Sequence, residues 1–249
     1  MRIFKISTGV MALLSLCLIV INLSCAKEEV TPDNGEVIDI PRDGLVAFYP
    51  FNGNYNDESG VGEAANLVKK GTNGGFTTDR YGNENSAFLS DFDQWLEVQN
   101  DKFIFDSDFT LTAWAKAERS EDKKGQERLF QSSSYYFGYA TNIINKLSCY
   151  VKKSGAGYRS VLSDEIQNIS EWKFVCFTYK KGERETSIYI DGKLHGKEIQ
   201  EEGFEMTIPS NTFYLFGSYF DGIGDDAAIY NKALNQNEID QLYRQNITK

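Results

Sequence analysis

Histidine is almost missing from this chain of 249 residues, and His195 is the only one. It follows a predicted turn in "DGKLHG", a position that an exposed strand-edge residue explains without any catalytic role. A nucleophilic triad needs a histidine or an equivalent base beside its nucleophile, and a zinc site needs a cluster of histidine and cysteine ligands. The sequence therefore predicts no catalytic residues of either kind.

Basic residues are in the minority, with 26 Lys and Arg against 36 Asp and Glu and a net charge of −10. If Arg2 and Lys5 are removed with an N-terminal leader, the net charge becomes −12, because residues 1–24 contain these two basic residues and no acidic one. Such an acidic surface argues against nucleic acid and against anionic membrane surfaces as partners.

The chain opens with "MRIFKISTGVMALLSLCLIVINLSC", which has a basic start, an apolar stretch and a small polar residue before Cys25. This order is typical of an export signal, and the apolar stretch is short for a membrane span. We therefore predict a signal peptide over 1–24, a polar tether over 25–43 and one folded domain over 44–249.

The position of Cys25 resembles a bacterial lipoprotein processing site, although Asn22 stands where such sites usually have leucine. The following Lys27, Glu28 and Glu29 resemble the signal that directs Bacteroidetes-type lipoproteins to the cell exterior. This resemblance implies a lipid on Cys25, an outer-membrane location facing outward, and membrane contact through that lipid only.

Two cysteines remain in the predicted domain, Cys149 in "KLSCYV" and Cys176 in "WKFVCFTY". An exported domain could join them in a disulfide, provided that their Cα atoms lie within about 7 Å. The alternative, which we favour, is two small buried side chains.

The domain contains many short runs rich in β-branched and aromatic residues, separated by Gly, Asn, Asp and Ser clusters. This pattern predicts an all-β sandwich or barrel. In "EWKFVCFTY" both alternating faces are largely apolar, which indicates a central strand covered on both sides. Asp191-Gly192 predicts a hairpin turn, and a short C-terminal helix capped by Asn235 is predicted from the change to a helical period.

In order, "GLVAFYPFNGNYNDESG", "FTLTAWAKA", "EWKFVCFTY", "SIYIDGKL" and "FDGIGDDAAIYNKALNQNEIDQLY" resemble the laminin-G-like, concanavalin A-like jelly-roll family. The resemblance covers Gly44 to Tyr243. It implies two antiparallel sheets packed face to face, and it leaves function open because lectins, adhesion modules and glycanases share this fold.

The resemblance also implies a calcium ion at the rim of the sandwich. Its ligands would be Asp57 of the "DESG" loop and Asp226, with Asp225 beside it, completed by backbone carbonyls. The family's usual Gly-Asn repetition is replaced here by "VGEAAN", which removes side-chain oxygens. The alternative is an Asx turn at Asp57 and a solvated acidic pair at Asp225 and Asp226.

Sugar recognition needs aromatic faces together with a few fixed polar groups, and the predicted loops offer both. The candidate ligand-binding residues are Trp95, Tyr135, Tyr136, Tyr158, Arg159 and Phe220.

Glycanases on related folds carry spaced acids on one strand, whereas Glu238 and Asp240 of "EIDQLYR" fall in the predicted helix. We therefore expect no enzyme but a non-catalytic cell-surface binding module whose partner is a glycan. The alternatives are a module that binds a surface protein and, third, a glycoside hydrolase.

Overall fold

The computed structural model describes residues 39–118, 127–140, 145–217 and 219–245. No helix in these four ranges is long and apolar enough to cross a membrane. They contain a 3-10 turn at Asp101–Phe103, one helix α1 (Gln236–Arg244), and the strands β1 (Leu45–Tyr49), β2 (Val68–Lys70), β3 (Gly75–Thr77), β4 (Ala87–Asp91), β5 (Trp95–Gln99), β6 (Phe109–Ala117), β7 (Glu127–Gln131), β8 (Tyr135–Tyr139), β9 (Leu147–Lys152), β10 (Tyr158–Leu162), β11 (Lys173–Lys180), β12 (Glu185–Ile190), β13 (Lys193–Ile199), β14 (Thr212–Leu215) and β15 (Asp221–Tyr230).

The strands form two antiparallel sheets. Sheet A has eight strands in the order β13-β12-β11-β6-β15-β4-β3, with β1 paired to β15. Sheet B has seven strands in the order β10-β9-β8-β7-β14-β5-β2. This confirms the predicted two-sheet jelly-roll sandwich with a C-terminal helix.

Strand β11 shows how the sequence builds these layers. Val175, Phe177 and Tyr179 belong to the core cluster between the sheets, while Phe174 and Cys176 belong to a second cluster on the outer side of sheet A. Burying each large apolar side chain contributes about 1.5–3 kcal/mol. The strand lies between β6 and β12, as its two apolar faces predict.

Helix α1 covers the outer face of sheet A. Its Ile239 and Leu242 are buried in the outer cluster. Asn235 caps the helix in a capping box with Glu238, as predicted for Asn235, so Glu238 has a structural role in the helix. Ile40 is buried in the same cluster, so packed chain already begins before Gly44, where we predicted the domain to start.

The predicted hairpin turn joins β12 to β13. Asp191 and Gly192 both have positive φ, at 48° and 76°, which is the backbone shape that a tight type I′ turn requires.

Both cysteines of the domain are free and buried. Cys149 lies in the core between the sheets, whereas Cys176 lies on the outer side of sheet A. Burial raises the pKa of both thiols. The favoured interpretation as two small buried side chains is therefore correct.

Candidate functional site

The two sheets differ in what lies on their outer faces. On sheet A, outward residues such as Phe174, Cys176 and Tyr230 are buried against α1 and the chain around Ile40. On sheet B, alternate strand residues remain half-buried or exposed in the described part of the chain. We call this surface the open face.

A row of directly paired residues crosses the whole open face. The register of the seven strands places one outward residue of each strand opposite the next. From one edge to the other the row contains Val68, Glu97, Tyr214, Gln131, Tyr136, Tyr150 and Ser160. With strands about 4.8 Å apart, the part from Glu97 to Tyr150 is about 19 Å long.

Three tyrosines cluster at one end of this row. The rings of Tyr136 and Tyr150 stack with centroids 4.3 Å apart, and Tyr158 lies 5.9 Å from Tyr136. The Arg128 guanidinium lies 4.9 Å from the centre of the Tyr136 ring. Tyr158 is the most accessible of the three, at 49% exposure. These contacts fix an aromatic surface that does not depend on loop conformation.

The opposite end of the row is polar. Trp95 Nε1 donates a hydrogen bond of 3.2 Å to Glu97, and Lys70 lies 3.8 Å from the same carboxylate. A pocket of about 390 Å³ adjoins these groups, and its lining includes Glu63, Asn66, Val68, Lys70, Glu97 and Gln99. The open face thus joins an aromatic end to a pocket rich in hydrogen-bonding groups.

Of the six predicted ligand-binding residues, Trp95, Tyr136 and Tyr158 stand on the open face. Tyr135 and Phe220 are 0% exposed and belong to the core between the sheets, so those two expectations need correction. Tyr135 alternates with Tyr136 along β8 and therefore points inward, and burial raises the pKa of its hydroxyl.

Arg159 does not stand on the open face either. It pairs in register with Val151, which points into the core, and so it lies on the other side of β10 from Tyr158. Its guanidinium donates to Glu201 at 2.7 and 3.2 Å. Glu201 has its pKa lowered to about 2, chiefly by the hydrogen bond from Arg159. Arg159 is thus engaged in a surface ion pair.

Four residues of the open face were not predicted from the sequence: Tyr150, Tyr214, Gln131 and Arg128. The outward direction of Tyr150 and Tyr214 could have been predicted from alternation along their strands. Tyr150 stands between inward Cys149 and Val151, and Tyr214 stands between inward Phe213 and Leu215. Their pairing across the sheet depends on strand order, which alternation cannot give.

Asp57, the first predicted calcium ligand, already has four hydrogen-bond donors. Its carboxylate accepts from the backbone N–H groups of Phe48, Ser59 and Ala65 at 3.0–3.1 Å. It also accepts from Lys102 Nζ at 2.7 Å. Burial alone would raise the Asp57 pKa, but the bonds from Lys102, Ser59 and Ala65 outweigh it and lower that pKa. The bond from Ser59 closes the Asx turn that was the alternative to calcium.

Asp225 and Asp226 lie on β15 beside a register shift, and the cation that binds both carboxylates is Arg80. Arg80 Nη1 donates to Asp225 at 3.1 Å and to Asp226 at 2.5 Å. The Arg80 guanidinium also packs over the rings of Tyr81 and Trp114 at 4.4 and 4.5 Å. Burial would lower the pKa of Arg80, but the charges of Asp226 and Asp225 reverse this and raise it.

These donor sets do not fit a calcium ion. Calcium needs 6–8 oxygen ligands, whereas the carboxylates of Asp57 and of the Asp225–Asp226 pair each already bind a protein cation. The four described ranges also contain no group of three or more His, Cys, Asp or Glu side chains that could hold a metal.

The single histidine offers no catalytic arrangement within the described residues. His195 lies on the edge strand β13 with its Nδ1 atom 4.0 Å from Asp164, a carboxylate that is 83% exposed. Cys25, the predicted lipidation site, lies outside the described residues.

Solved structures with this fold include binding domains of clostridial neurotoxins. One is the binding domain of botulinum neurotoxin DC in complex with SialylT, at 16% identity and TM-score 0.64, covering 82% of this chain and 51% of that one. A second is botulinum neurotoxin type C, which depends on two ganglioside molecules to enter cells, at 16% identity and TM-score 0.64, covering 81% and 51%. A third is the neurotoxin DC binding domain in complex with rat synaptotagmin II, at 17% identity and TM-score 0.62, covering 81% and 51%.

These identities establish a shared fold only, and the chain spans about half the length of the solved structures it matches. No curated protein matches the chain. A sequence model of the Laminin_G_3 family matches residues 90–240, which is more than half of the chain. The protein therefore belongs to this family, described as the concanavalin A-like lectin/glucanases superfamily.

Proposed function

We propose that the protein is a carbohydrate-binding module whose ligand lies along the open face of sheet B. The observation that carries this proposal is the cross-strand row. In it Tyr150 pairs with Tyr136, and Gln131 lies between Tyr136 and Tyr214. Aromatic rings bind the C–H surfaces of sugars, and amide and carboxylate groups bind their hydroxyls.

The length of the row favours an oligosaccharide over a single sugar. The aromatic end and the polar pocket are about 19 Å apart across four strand spacings, so one monosaccharide cannot reach both. A chain that stacks on Tyr136 and Tyr150 would extend over Tyr214 toward Glu97 and Gln99 at the pocket. Because the row runs on regular strands, its geometry is fixed before the ligand arrives, which lowers the ordering cost of binding.

The fold neighbours support a binding role of this kind. One is held in complex with SialylT and another depends on gangliosides. They support a glycan as ligand without identifying it, because the shared feature is the fold.

A catalytic role would depend on the carboxylates beside the pocket. Glycoside hydrolysis uses two carboxyl groups on either side of the scissile bond. The outward strand positions of sheet B that the structure describes carry one, Glu97, and Glu63 is a second carboxylate on the pocket-lining loop. Release of reducing sugar that disappears in Glu63→Gln or Glu97→Gln would instead support a hydrolase.

A protein ligand is the second candidate function. Leu194 and Ile199 on the edge strand β13 are 49% and 56% exposed, and apolar side chains on a sheet edge favour protein contacts. One fold neighbour binds a protein, synaptotagmin II. A protein ligand whose binding is lost in Ile199→Lys and kept in Tyr136→Ala would favour this candidate.

We further infer display on the outer membrane through a lipid on Cys25, from the leader and the Lys27-Glu28-Glu29 sequence that follows it. Cys25→Ser should release the protein from the membrane fraction. A mutant that stays in that fraction contradicts the lipid anchor.

The direct test of the function is a glycan array probed with the purified protein, followed by titration of each positive ligand. Oligosaccharides should bind and their component monosaccharides should not, because only the longer ligand spans the row. Absence of binding to every glycan, or equal binding of the monosaccharide, contradicts the proposal.

A further inference from the structure

Two positively charged side chains flank the tyrosine cluster of the open face. Arg128 on β7 pairs with Gly138, two residues beyond Tyr136 on β8. Lys152 on β9 lies two residues beyond Tyr150, in the opposite direction. Since two residues of a strand span about 7 Å, a ligand lying over the tyrosine pair would pass between the two cations.

Arg128 is held in place by the tyrosine beneath it. Its guanidinium lies 4.9 Å from the Tyr136 ring centre, within the range of a cation–π contact. Its Nε atom is buried and has no hydrogen-bond partner among the described residues. The contact with Tyr136 therefore fixes where the charge of Arg128 stands beside the tyrosine pair.

Neither cation has an acidic partner in the part of the chain that the structure describes. The neighbouring cations do: Lys70 lies beside Glu97, and Lys153 and Arg159 both pair with Glu201. Arg128 and Lys152 therefore place two positive charges beside the tyrosine cluster of a chain that has 36 acidic and 26 basic residues.

We propose that the ligand of the open face is an anionic glycan, whose carboxylate or sulfate groups pair with Arg128 and Lys152 while its rings stack on Tyr136 and Tyr150. This inference rests on the proposed function and adds the chemical class of the ligand. A guanidinium presents paired donors that match a carboxylate or sulfate, and the lysine supplies a point charge. Charge complementarity of this kind selects among ligands of similar shape.

The experiment compares pairs of probes that share a backbone and differ in charge. The pairs are polygalacturonate with its methyl ester, sialyllactose with lactose, and dextran sulfate with dextran. The first pair tests carboxylates along a polysaccharide chain, the second tests a carboxylate on a terminal sugar, and the third tests sulfate groups. Polyglutamate serves as an anionic chain without sugar rings. Affinity is measured by titration at two salt concentrations.

At least one anionic glycan should bind about tenfold or more tightly than its neutral counterpart, and the difference should shrink at high salt because salt screens charges that are only half-buried. Arg128→Gln and Lys152→Gln should each reduce that preference, and in the double variant the anionic glycan and its neutral counterpart should bind equally. The matched control is Lys193→Gln, an exposed lysine on β13 of sheet A, which changes net charge equally and should change nothing.

The outcomes separate this inference from the proposed function. Equal binding of charged and neutral glycans, still weakened by Tyr136→Ala, overturns the anionic ligand and keeps the glycan-binding face. Polyglutamate binding as tightly as the anionic glycans also overturns it and favours an acidic protein partner. No binding to any of the sugar probes contradicts both proposals.

Discussion

Lys102 Nζ lies 2.7 Å from Asp57 Oδ2, at a carboxylate whose other bonds come from three backbone N–H groups. A protein ammonium thus binds the carboxylate that the family resemblance assigns as a calcium ligand. The same is true at the second predicted ligand set, where Arg80 bridges Asp225 and Asp226. At all three predicted calcium ligands, the balancing positive charge comes from the chain itself.

We therefore expect calcium to leave the stability of the fold unchanged. A ligand that binds only the folded state stabilises it by about 2.7 kcal/mol at one hundred times its dissociation constant. Thermal unfolding should give the same Tm in millimolar calcium and in excess chelator. A higher Tm in calcium that is absent from Asp57→Asn would contradict the assignment of Lys102.

Asp57→Asn should destabilise the protein by about 3 kcal/mol, because it leaves the Lys102 ammonium largely buried without its counter-charge. The side chains of the pair are 1% and 15% exposed. The measurement is urea unfolding. The matched control is Asp106→Asn, whose partner Lys181 is 49% exposed and whose loss should cost less than about 1 kcal/mol. An equal loss of unfolding free energy in the two variants would show that the buried Asp57–Lys102 pair stabilises the fold no more than the exposed Asp106–Lys181 pair does.

Stability should fall as the pH drops, since the folded pKa of Asp57 is lowered relative to its ordinary value of 3.8. The contribution of a carboxylate with a lowered pKa is fully present above its unfolded pKa and is lost as pH falls through the folded pKa. The wild type should lose more unfolding free energy than Asp57→Asn as the pH falls from about 5 to about 2. Parallel pH profiles would contradict this.

Arg80→Met should be among the most destabilising single changes, with a loss of about 3–5 kcal/mol, because two fully buried carboxylates lose their cation. Arg80→Lys should recover only part of that loss, since an ammonium keeps the charge but cannot stack on Trp114 and Tyr81 as a planar guanidinium does. Chemical denaturation of both variants checks the order. Wild-type stability in Arg80→Met would show that Arg80 does not stabilise the Asp225–Asp226 pair.

The layers of the fold could be predicted from local pattern because alternation and helix capping are local properties. The two apolar faces of β11 predicted its central place, and Asn235 predicted the start of α1. Strand order is not a local property, so the sequence could not show that Tyr214 lies between Glu97 and Gln131, residues more than eighty positions away from it along the chain.

The same limit explains the errors in the predicted site. Tyr135 and Phe220 were predicted because they lie in aromatic segments that the sequence pattern places in loops. A shift of one position along a strand decides whether a side chain enters the core, and Tyr135 and Tyr136 lie on opposite faces of sheet B. Lys102 and Arg80 carry no motif that marks them as partners of Asp57, Asp225 and Asp226. Those pairings are long-range, with 45 positions between Asp57 and Lys102 and 146 between Arg80 and Asp226.

The central claim is that the Tyr136–Tyr150 surface contacts the glycan, and the most direct measurement is the affinity of single variants for the best ligand found on the array. Tyr136→Ala and Tyr150→Ala should each weaken binding by about tenfold or more, equivalent to about 1.4 kcal/mol. The control is Tyr243→Ala on α1, an equally large aromatic side chain on the outer side of sheet A, which should bind as the wild type does. Wild-type affinity in both Tyr136→Ala and Tyr150→Ala would contradict the account.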